Sequence, residues 1–104
     1  MSLFQQLFAG GQPSADLKNS IDKGAFLVDV RTPGEFSGGS VPGAVNIPLD
    51  MIPAQLATFK GKESIVLFCR SGMRSGQAKG ILESNGFKNV INGGTWEDVS
   101  RLVK

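Results

Sequence analysis

The residue with the clearest chemistry in this chain is Cys69, its single cysteine. It directly follows an apolar run, IVLF at residues 65–68, and opens a segment rich in glycine, serine and arginine. A buried strand that ends in such a segment would present one thiol to converging backbone N–H groups. We call this segment the thiol loop (residues 69–74). Its candidate anion-binding residues are Arg70, Ser71, Gly72, Met73 and Arg74.

The thiol loop would have to activate Cys69 without histidine, because the chain contains none. A free cysteine has a pKa of about 8.5, and that pKa must fall by about 2, worth roughly 2.7 kcal/mol, before thiolate dominates at neutral pH. The N-terminus of a following helix supplies at most about 2 kcal/mol. Arg70 and Arg74 are the available supplements, because guanidinium groups stay charged and donate to anions. We therefore expect Cys69 to be a reactive thiolate that is activated by electrostatics alone.

Hydrophobic spacing predicts the two elements that position the thiol loop. Four consecutive apolar residues, two of them β-branched, predict a strand at residues 65–68. After the loop, Ala78, Ile81 and Leu82 have helical spacing, and Gly86 follows where a left-handed cap would end the helix. The predicted order is strand, tight loop, helix.

Further strands and helices are predicted around this unit. Strands are expected at residues 25–30, 44–47 and 87–91, and helices at residues 14–22, after Asp50 and from residue 96 onward. Asp50 is expected to cap its helix, with Ile52, Leu56 and Phe59 on the buried face. Residues 92–94 are expected to form a turn at which bare backbone approaches the thiol loop.

Length and composition limit the class of protein. A chain of 104 residues with 14 glycines and 40% hydrophobic residues fits a single α/β domain. The net charge of +2 is mild and gives no reason to expect a nucleic-acid or membrane partner. One cysteine and no histidine leave no plausible metal site, so we expect no metal and no cofactor. Without a second cysteine as an internal resolving thiol, any group carried by Cys69 would have to leave to an external acceptor.

Residues 1–13 are interpreted as an N-terminal extension ahead of a domain at residues 14–104. Leu3, Phe4, Leu7 and Phe8 share one helical face, which predicts a short amphipathic helix that packs on the domain or binds a partner. The N-terminus lacks a signal-peptide pattern, and no stretch is long enough to span a membrane. The sequence therefore predicts a cytoplasmic protein.

Four segments together resemble the single-domain rhodanese family. They are CRSGMRS at residues 69–75, DVRTPGEF at 29–36, GSVPGAVNIPL at 39–49 and GGTW at 93–96. Their order and spacing match the family over nearly the whole chain from about residue 14. The resemblance implies a rhodanese-like α/β fold, in which we expect a central five-stranded parallel sheet with helices on both faces. It also implies sulfurtransferase chemistry in which the loop cysteine carries a persulfide.

The resemblance also suggests supporting residues outside the loop. In rhodanese-like domains the residues that match Arg31 and Glu35 mostly hold the fold together. The two lie four positions apart and could pair if a helical turn begins at Pro33. Asp29 could orient loop amides near the thiol, or satisfy backbone donors at a strand end. Ser40 stands where the family usually has a histidine that makes structural hydrogen bonds.

The reaction implied by the resemblance is a two-step, ping-pong transfer of sulfane sulfur. The Cys69 thiolate would take sulfur from a small anionic donor such as thiosulfate. The persulfide would then pass it to cyanide, a thiol or a sulfur-acceptor protein. Arg70 and Arg74 would neutralise the donor and the departing sulfite.

Other interpretations stay open at this point. The chain could be a persulfide carrier that serves a partner protein. A phosphatase or arsenate reductase also uses a cysteine in an amide-lined loop, but Arg74 follows Cys69 after four residues, one fewer than in cysteine phosphatases. An inert, buried cysteine is the ordinary interpretation of a lone cysteine on an apolar strand, and the loop after Cys69 argues against it.

Overall fold

A parallel sheet organises the computed structural model, which describes residues 14–103. Its elements in chain order are α1 (Ser14–Asp22), β1 (Phe26–Asp29), α2 (Pro33–Ser37), β2 (Val45–Asn46), a 3₁₀ helix (Leu49–Phe59), β3 (Ile65–Cys69), α3 (Met73–Ser84), β4 (Val90–Thr95) and α4 (Trp96–Leu102). Helices separate the successive strands, which is the arrangement expected of an α/β fold.

The sheet has four strands within the described residues, in the order β2-β1-β3-β4, and every neighbouring pair is parallel. The expected number of five strands is therefore wrong for this part of the chain, and the four segments predicted as strands correspond to the four strands observed. The segments between the four strands are helices or glycine- and proline-containing turns, such as residues 38–44. Such turns cannot supply a regular row of ladder hydrogen bonds.

Residues of β3 alternate between two buried clusters. Ile65, Leu67 and Cys69 belong to one cluster, and Val66 and Phe68 belong to the other. The first cluster includes side chains of the 3₁₀ helix and α3, and the second includes side chains of α1 and α4. Helices therefore cover both faces of the sheet, as predicted. This double cover explains why β3 is an unbroken apolar run, buried along its whole length.

Strand β4 differs from its prediction, which ended the strand at Ile91 and made residues 92–94 a turn. The strand continues to Thr95. Its register against β3 shifts within residues 92–94, where β4 has one residue more than its partner. The bulge brings bare backbone against the thiol loop, since a Cβ on Gly72 would lie 3.5 Å from Gly94 Cα. The predicted close approach is confirmed, although a strand rather than a turn provides it.

The segment after β2 is 3₁₀-helical with a kink at Gln55, whose φ of −124° and ψ of 30° are not helical, and Asp50 does not cap it. Pro48 occupies the N-cap position, and no side chain there makes a capping hydrogen bond. Pro53 lies inside the helix, where it lacks the N–H that a regular α-helix would need. Ile52 and Phe59 are nevertheless buried, because the spacing of apolar residues still directs one side of the segment to the core.

The amphipathic helix predicted within residues 1–13 lies outside the described residues. Between residues 14 and 103, no helix is long and apolar enough to cross a bilayer. The division of the chain at residue 14 and the cytoplasmic location stay predictions.

Candidate active site

Cys69 lies where β3 ends and the thiol loop begins. Its side chain is fully buried. The Gly72 N–H donates to Cys69 Sγ at 3.0 Å, and Ser75 Oγ lies 3.5 Å from the same sulfur. Gly72 has a φ of +96°, a left-handed conformation that turns the chain over the sulfur before α3 begins at Met73. An N–H donor, a hydroxyl group and the first turn of a helix thus surround the thiol.

Two opposing effects set the pKa of Cys69. Burial raises the pKa, because a thiolate in the interior loses its contact with water. The Ser75 hydroxyl lowers it, and so do the backbone N–H groups of Ser75, Ser71 and Gly72, because all of them donate to a charged sulfur. The hydrogen bonds outweigh burial, and the pKa of Cys69 lies below the ordinary value for cysteine. The groups that lower the pKa of Cys69 include no histidine.

Arg74 points to an acidic side chain of α2. Its Nη1 and Nη2 donate to Glu35 Oε1 and Oε2 at 2.8 and 3.1 Å. Glu35 Oε1 also accepts from the N–H and the hydroxyl of Thr32, in a capping box that begins α2. The Arg74 guanidinium and the Thr32 N–H together lower the pKa of Glu35 to about 2. The pair connects α2 to the first turn of α3.

The expected pairing of Arg31 with Glu35 is wrong. Helix α2 does begin at Pro33, but the Arg31 guanidinium turns to Asp29, with Nε 2.9 Å from Oδ1 and Nη2 2.6 Å from Oδ2. Nη2 also donates to Gly39 O at 2.6 Å. Asp29 and Arg31 are both buried, and a buried charge needs an opposite charge at close range. Glu35 is partly exposed and forms its ion pair with Arg74 instead.

Comparison with known proteins identifies the family. The family model described as Rhodanese-like domain matches residues 14–97. The chain belongs to the rhodanese-like domain family. The thiosulfate sulfurtransferase PspE of Escherichia coli is 36% identical over 75 residues, which cover 70% of this chain and 72% of PspE.

Two further comparisons describe the extent of the similarity. A sulfurtransferase of Allochromatium vinosum is 39% identical over 67 residues, which cover 64% of this chain. The match covers 63% of that protein, so this chain spans less than two thirds of its length. A solved structure of a rhodanese with anions from E. coli is 36% identical, with a TM-score of 0.66 over 71% of this chain and 89% of that chain.

Asp29 is the centre of a hydrogen-bond network within this rhodanese-like domain. Its Oδ1 accepts from the Arg31 N–H at 2.9 Å, and its Oδ2 accepts from Ser40 Oγ at 2.6 Å. The Arg31 guanidinium carbon lies 5.1 Å from the centroid of the Trp96 ring. Of the two roles considered for Asp29, these contacts match the satisfaction of donors at a strand end. Ser40 supplies a structural hydrogen bond at the position where histidine is usual in the family.

The remaining predicted residues of the thiol loop differ in how much of each is exposed to solvent. Arg70 and Ser71 are exposed, and Arg74 is half-buried. Met73 is 74% exposed although it begins α3. The loop therefore presents one arginine and one large apolar side chain at the surface close to the buried sulfur.

The sequence-based prediction omitted two residues of this site, Ser75 and Asn92. Ser75 is fully buried, and its Oγ donates to Asn92 Oδ1 at 2.7 Å. Asn92 Nδ2 in turn donates to Gly72 O at 3.1 Å. Ser75 immediately follows the thiol loop. A predicted helix start at Met73 would have placed Ser75 in the first helical turn and so indicated it as a residue of the site. Asn92 comes into reach through the β4 bulge, for which the sequence has no local signal.

The described residues contain no metal-binding cluster, and they form an open groove that lies away from the thiol. Within residues 14–103, no three side chains of the types His, Cys, Asp and Glu lie close enough to hold a metal ion. An open groove of about 770 Å³ runs between the 3₁₀ helix and α3. Neither Cys69 nor any other residue of the thiol loop lines it, so this groove is separate from the Cys69 sulfur.

Proposed function

We propose that the chain is a sulfurtransferase that carries sulfane sulfur as a persulfide on Cys69. The sulfur comes from thiosulfate or a similar anionic donor and passes to cyanide, a small thiol or a protein thiol. The observation that carries the proposal is the environment of Sγ, with the Gly72 N–H at 3.0 Å and a lowered pKa. A thiolate held by such donors is a nucleophile at neutral pH. Membership of the rhodanese-like family and the sulfurtransferase relatives support this reaction class.

In the first half-reaction the Cys69 thiolate attacks the sulfane sulfur of thiosulfate. A bond forms between Sγ and the sulfane sulfur, the bond to the sulfonate sulfur breaks, and its electron pair leaves with sulfite. No oxidant is consumed. The outer sulfur of the persulfide keeps one negative charge, and the N–H groups of the thiol loop would donate to it in a site that excludes water.

In the second half-reaction an acceptor attacks the outer sulfur. With cyanide as the acceptor, a carbon–sulfur bond forms, the S–S bond breaks and its electron pair returns to Sγ. Thiocyanate leaves, and the Cys69 thiolate is restored. When the acceptor is a thiolate, a new sulfur–sulfur bond forms instead of the carbon–sulfur bond, the electron pair again returns to Sγ, and the acceptor becomes a persulfide.

Arg70 is the candidate for capture of the donor anion. Arg70 directly follows Cys69 in sequence and is exposed, whereas both terminal nitrogen atoms of Arg74 are already bonded to Glu35. A paired guanidinium has less charge to offer a second anion. We therefore assign Arg74 a positioning role, holding the first turn of α3 against α2. Because Cys69 is fully buried, the donor can reach Sγ only when the groups that cover the sulfur shift.

Intact mass spectrometry tests the proposal. The reduced chain is incubated with thiosulfate, beside Cys69→Ser as the matched control, and then treated with cyanide. We expect a gain of about 32 Da on the wild type alone, lost on cyanide treatment with release of thiocyanate. A wild-type chain that gains no sulfur from thiosulfate or from other sulfane donors, while its thiol reacts with an alkylating reagent, would contradict the proposal. So would an equal gain on Cys69→Ser.

A further inference from the structure

Two polar side chains, Ser75 and Asn92, link Cys69 to strand β4. Ser75 Oγ lies 3.5 Å from Cys69 Sγ and 2.7 Å from Asn92 Oδ1. Asn92 Oδ1 also accepts from the Gly94 N–H at 3.0 Å, and Asn92 Nδ2 donates to Gly72 O at 3.1 Å. Asn92 therefore fixes both the Ser75 hydroxyl and the backbone of the thiol loop.

The Ser75 hydroxyl has two acceptors within reach and one proton to donate. When Sγ carries a proton, the S–H can donate to Ser75 Oγ while the hydroxyl donates to Asn92 Oδ1. When Sγ is a thiolate it can only accept, and the hydroxyl turns toward it. This rotation leaves no buried acceptor without a donor, because Asn92 Oδ1 keeps the Gly94 N–H.

The surroundings make this hydroxyl an effective donor. Ser75 is fully buried, so water cannot replace its hydrogen bond to the sulfur. Asn92 has little freedom to move away, since a Cβ added to Gly76 would lie only 3.4 Å from Asn92 Nδ2. The amide therefore packs directly on the first turn of α3.

We propose that Ser75 is a further catalytic residue that donates to Cys69 Sγ whenever this sulfur carries negative charge, and that Asn92 is the residue that positions it. The inference rests on the persulfide mechanism proposed above. In the persulfide the charge lies on the outer sulfur, and it returns to Sγ when the acceptor breaks the S–S bond. Ser75 thus stabilises Sγ as the leaving group, so its main effect is on persulfide discharge.

The titration of Cys69 can be followed without interference from similar groups. The chain has one cysteine, no histidine and no tyrosine. The charged side chains on the elements around Cys69 include Asp29, Arg31, Glu35, Asp50, Arg70 and Arg74. Asp29 pairs with Arg31, and Glu35 pairs with Arg74. Neutral substitutions at Ser75 and Asn92 leave all of these charges in place, so a changed titration reports the lost donor.

The first test follows the ultraviolet absorbance of the thiolate against pH in Ser75→Ala. We expect the pKa of Cys69 to rise, so that the acid dissociation constant of the thiol falls by about threefold to tenfold, as for one lost hydrogen bond. Asn92→Ala should change the titration in the same direction by less, because the hydroxyl remains. Ser84→Ala, at the exposed far end of α3, is the matched control and should titrate like the wild type.

The second test separates the two half-reactions. The persulfide is formed with thiosulfate, and its discharge by cyanide is followed by thiocyanate release. We expect discharge to be about tenfold slower in Ser75→Ala, whereas persulfide formation per thiolate is not slowed. A purely structural role would slow both half-reactions and would leave the thiol titration unchanged.

The outcomes distinguish this inference from the proposed function. Unchanged titration and unchanged discharge in a folded Ser75→Ala would overturn the inference even though the persulfide forms. If Ser75→Ala does not fold, Asn92→Ala decides, and wild-type titration in that variant would overturn the inference. If the wild type forms no persulfide, the proposed function fails, and the titration still shows whether Ser75 donates to the thiolate.

Discussion

Gly93, in the bulge of β4, is expected to tolerate no side chain. A Cβ at this position would lie 2.8 Å from Val99 Cγ2, 3.0 Å from Val66 Cγ1 and 3.3 Å from Leu67 O. Both valines are fully buried and the third neighbour is backbone, so none can yield unless the sheet or α4 shifts. We expect Gly93→Ala to lower the free energy of unfolding by about 1–3 kcal/mol, the usual cost of overpacking.

This cost converts into a measurable change in melting temperature. In a domain of this size about 1 kcal/mol corresponds to a change of roughly 4–8 °C in Tm. Gly93→Ala should therefore melt about 4–24 °C below the wild type. Thermal and urea unfolding can be followed by the fluorescence of Trp96, the single tryptophan of the chain.

Gly80 provides the matched control for this substitution. It lies in α3, and a Cβ there would meet no atom within 4 Å. Alanine is favoured over glycine inside a helix by about 0.5–1 kcal/mol, so Gly80→Ala should be at least as stable as the wild type. An unchanged Tm in Gly93→Ala would refute the packing argument. An equal loss of Tm in Gly93→Ala and Gly80→Ala would show that the replacement of glycine as such, rather than the contacts of the bulge, lowers the stability.

Three further predictions concern charged and polar side chains at the site. Arg70→Ala should raise the KM for thiosulfate by about twofold to fivefold with kcat little changed, because an exposed cation contributes mainly to anion binding; steady-state thiocyanate formation measures this. The Arg74 guanidinium and nearby donors lower the pKa of Glu35 from its ordinary 4.5 to about 2, so the stability from this carboxylate is present above pH 4.5 and is lost as the pH falls toward 2. In urea unfolding across that range, Glu35→Gln should lose less stability than the wild type. Ser40→Ala removes a donor 2.6 Å from the buried carboxylate of Asp29 and should cost about 1.5–3 kcal/mol in urea unfolding.

Each of these variants has a control elsewhere on the chain. Arg101→Ala removes an arginine on α4 whose side chain is 72% exposed, and it should leave the KM unchanged. Glu83→Gln removes an exposed carboxylate on α3 and serves as the control for Glu35→Gln. Ser37→Ala removes an exposed hydroxyl that donates to Gly34 O and should cost little. An effect in a control as large as in its partner would contradict the corresponding assignment.

The fold was predictable where its signals are local. The apolar run of β3 and the helical spacing of α3 identify both elements, and Gly86, with a φ of +92°, ends the helix region as predicted. The end of β4 was missed because residues 92–94 contain two glycines and look like a turn. Parallel pairing with β3 holds them in the sheet, and this pairing depends on residues far away in sequence.

The candidate site, like the fold, was predictable where its residues are close together in sequence. Cys69 and the thiol loop are contiguous, so residue types and spacing were enough to locate them. The choice of ion-pair partners was not predictable, because the spacing of Arg31 and Glu35 permits a pair that the fold does not form. Burial of Asp29 beside Arg31 decides the outcome, and burial follows from packing of the whole chain.

The arrangement of charges explains why the backbone of the thiol loop matters so much. Arg31 and Arg74 each lie in an ion pair, so their charges are largely neutralised before an anion arrives. The donors that lower the pKa of Cys69 are then a hydroxyl and backbone N–H groups, whose effect depends on direction and falls quickly when they turn away. The lowered pKa of Cys69 therefore depends on the loop staying folded over the sulfur. Under the proposed mechanism, Glu35, which accepts from Arg74, and Asn92, which donates to Gly72 O, would therefore affect the chemistry by holding the loop in place.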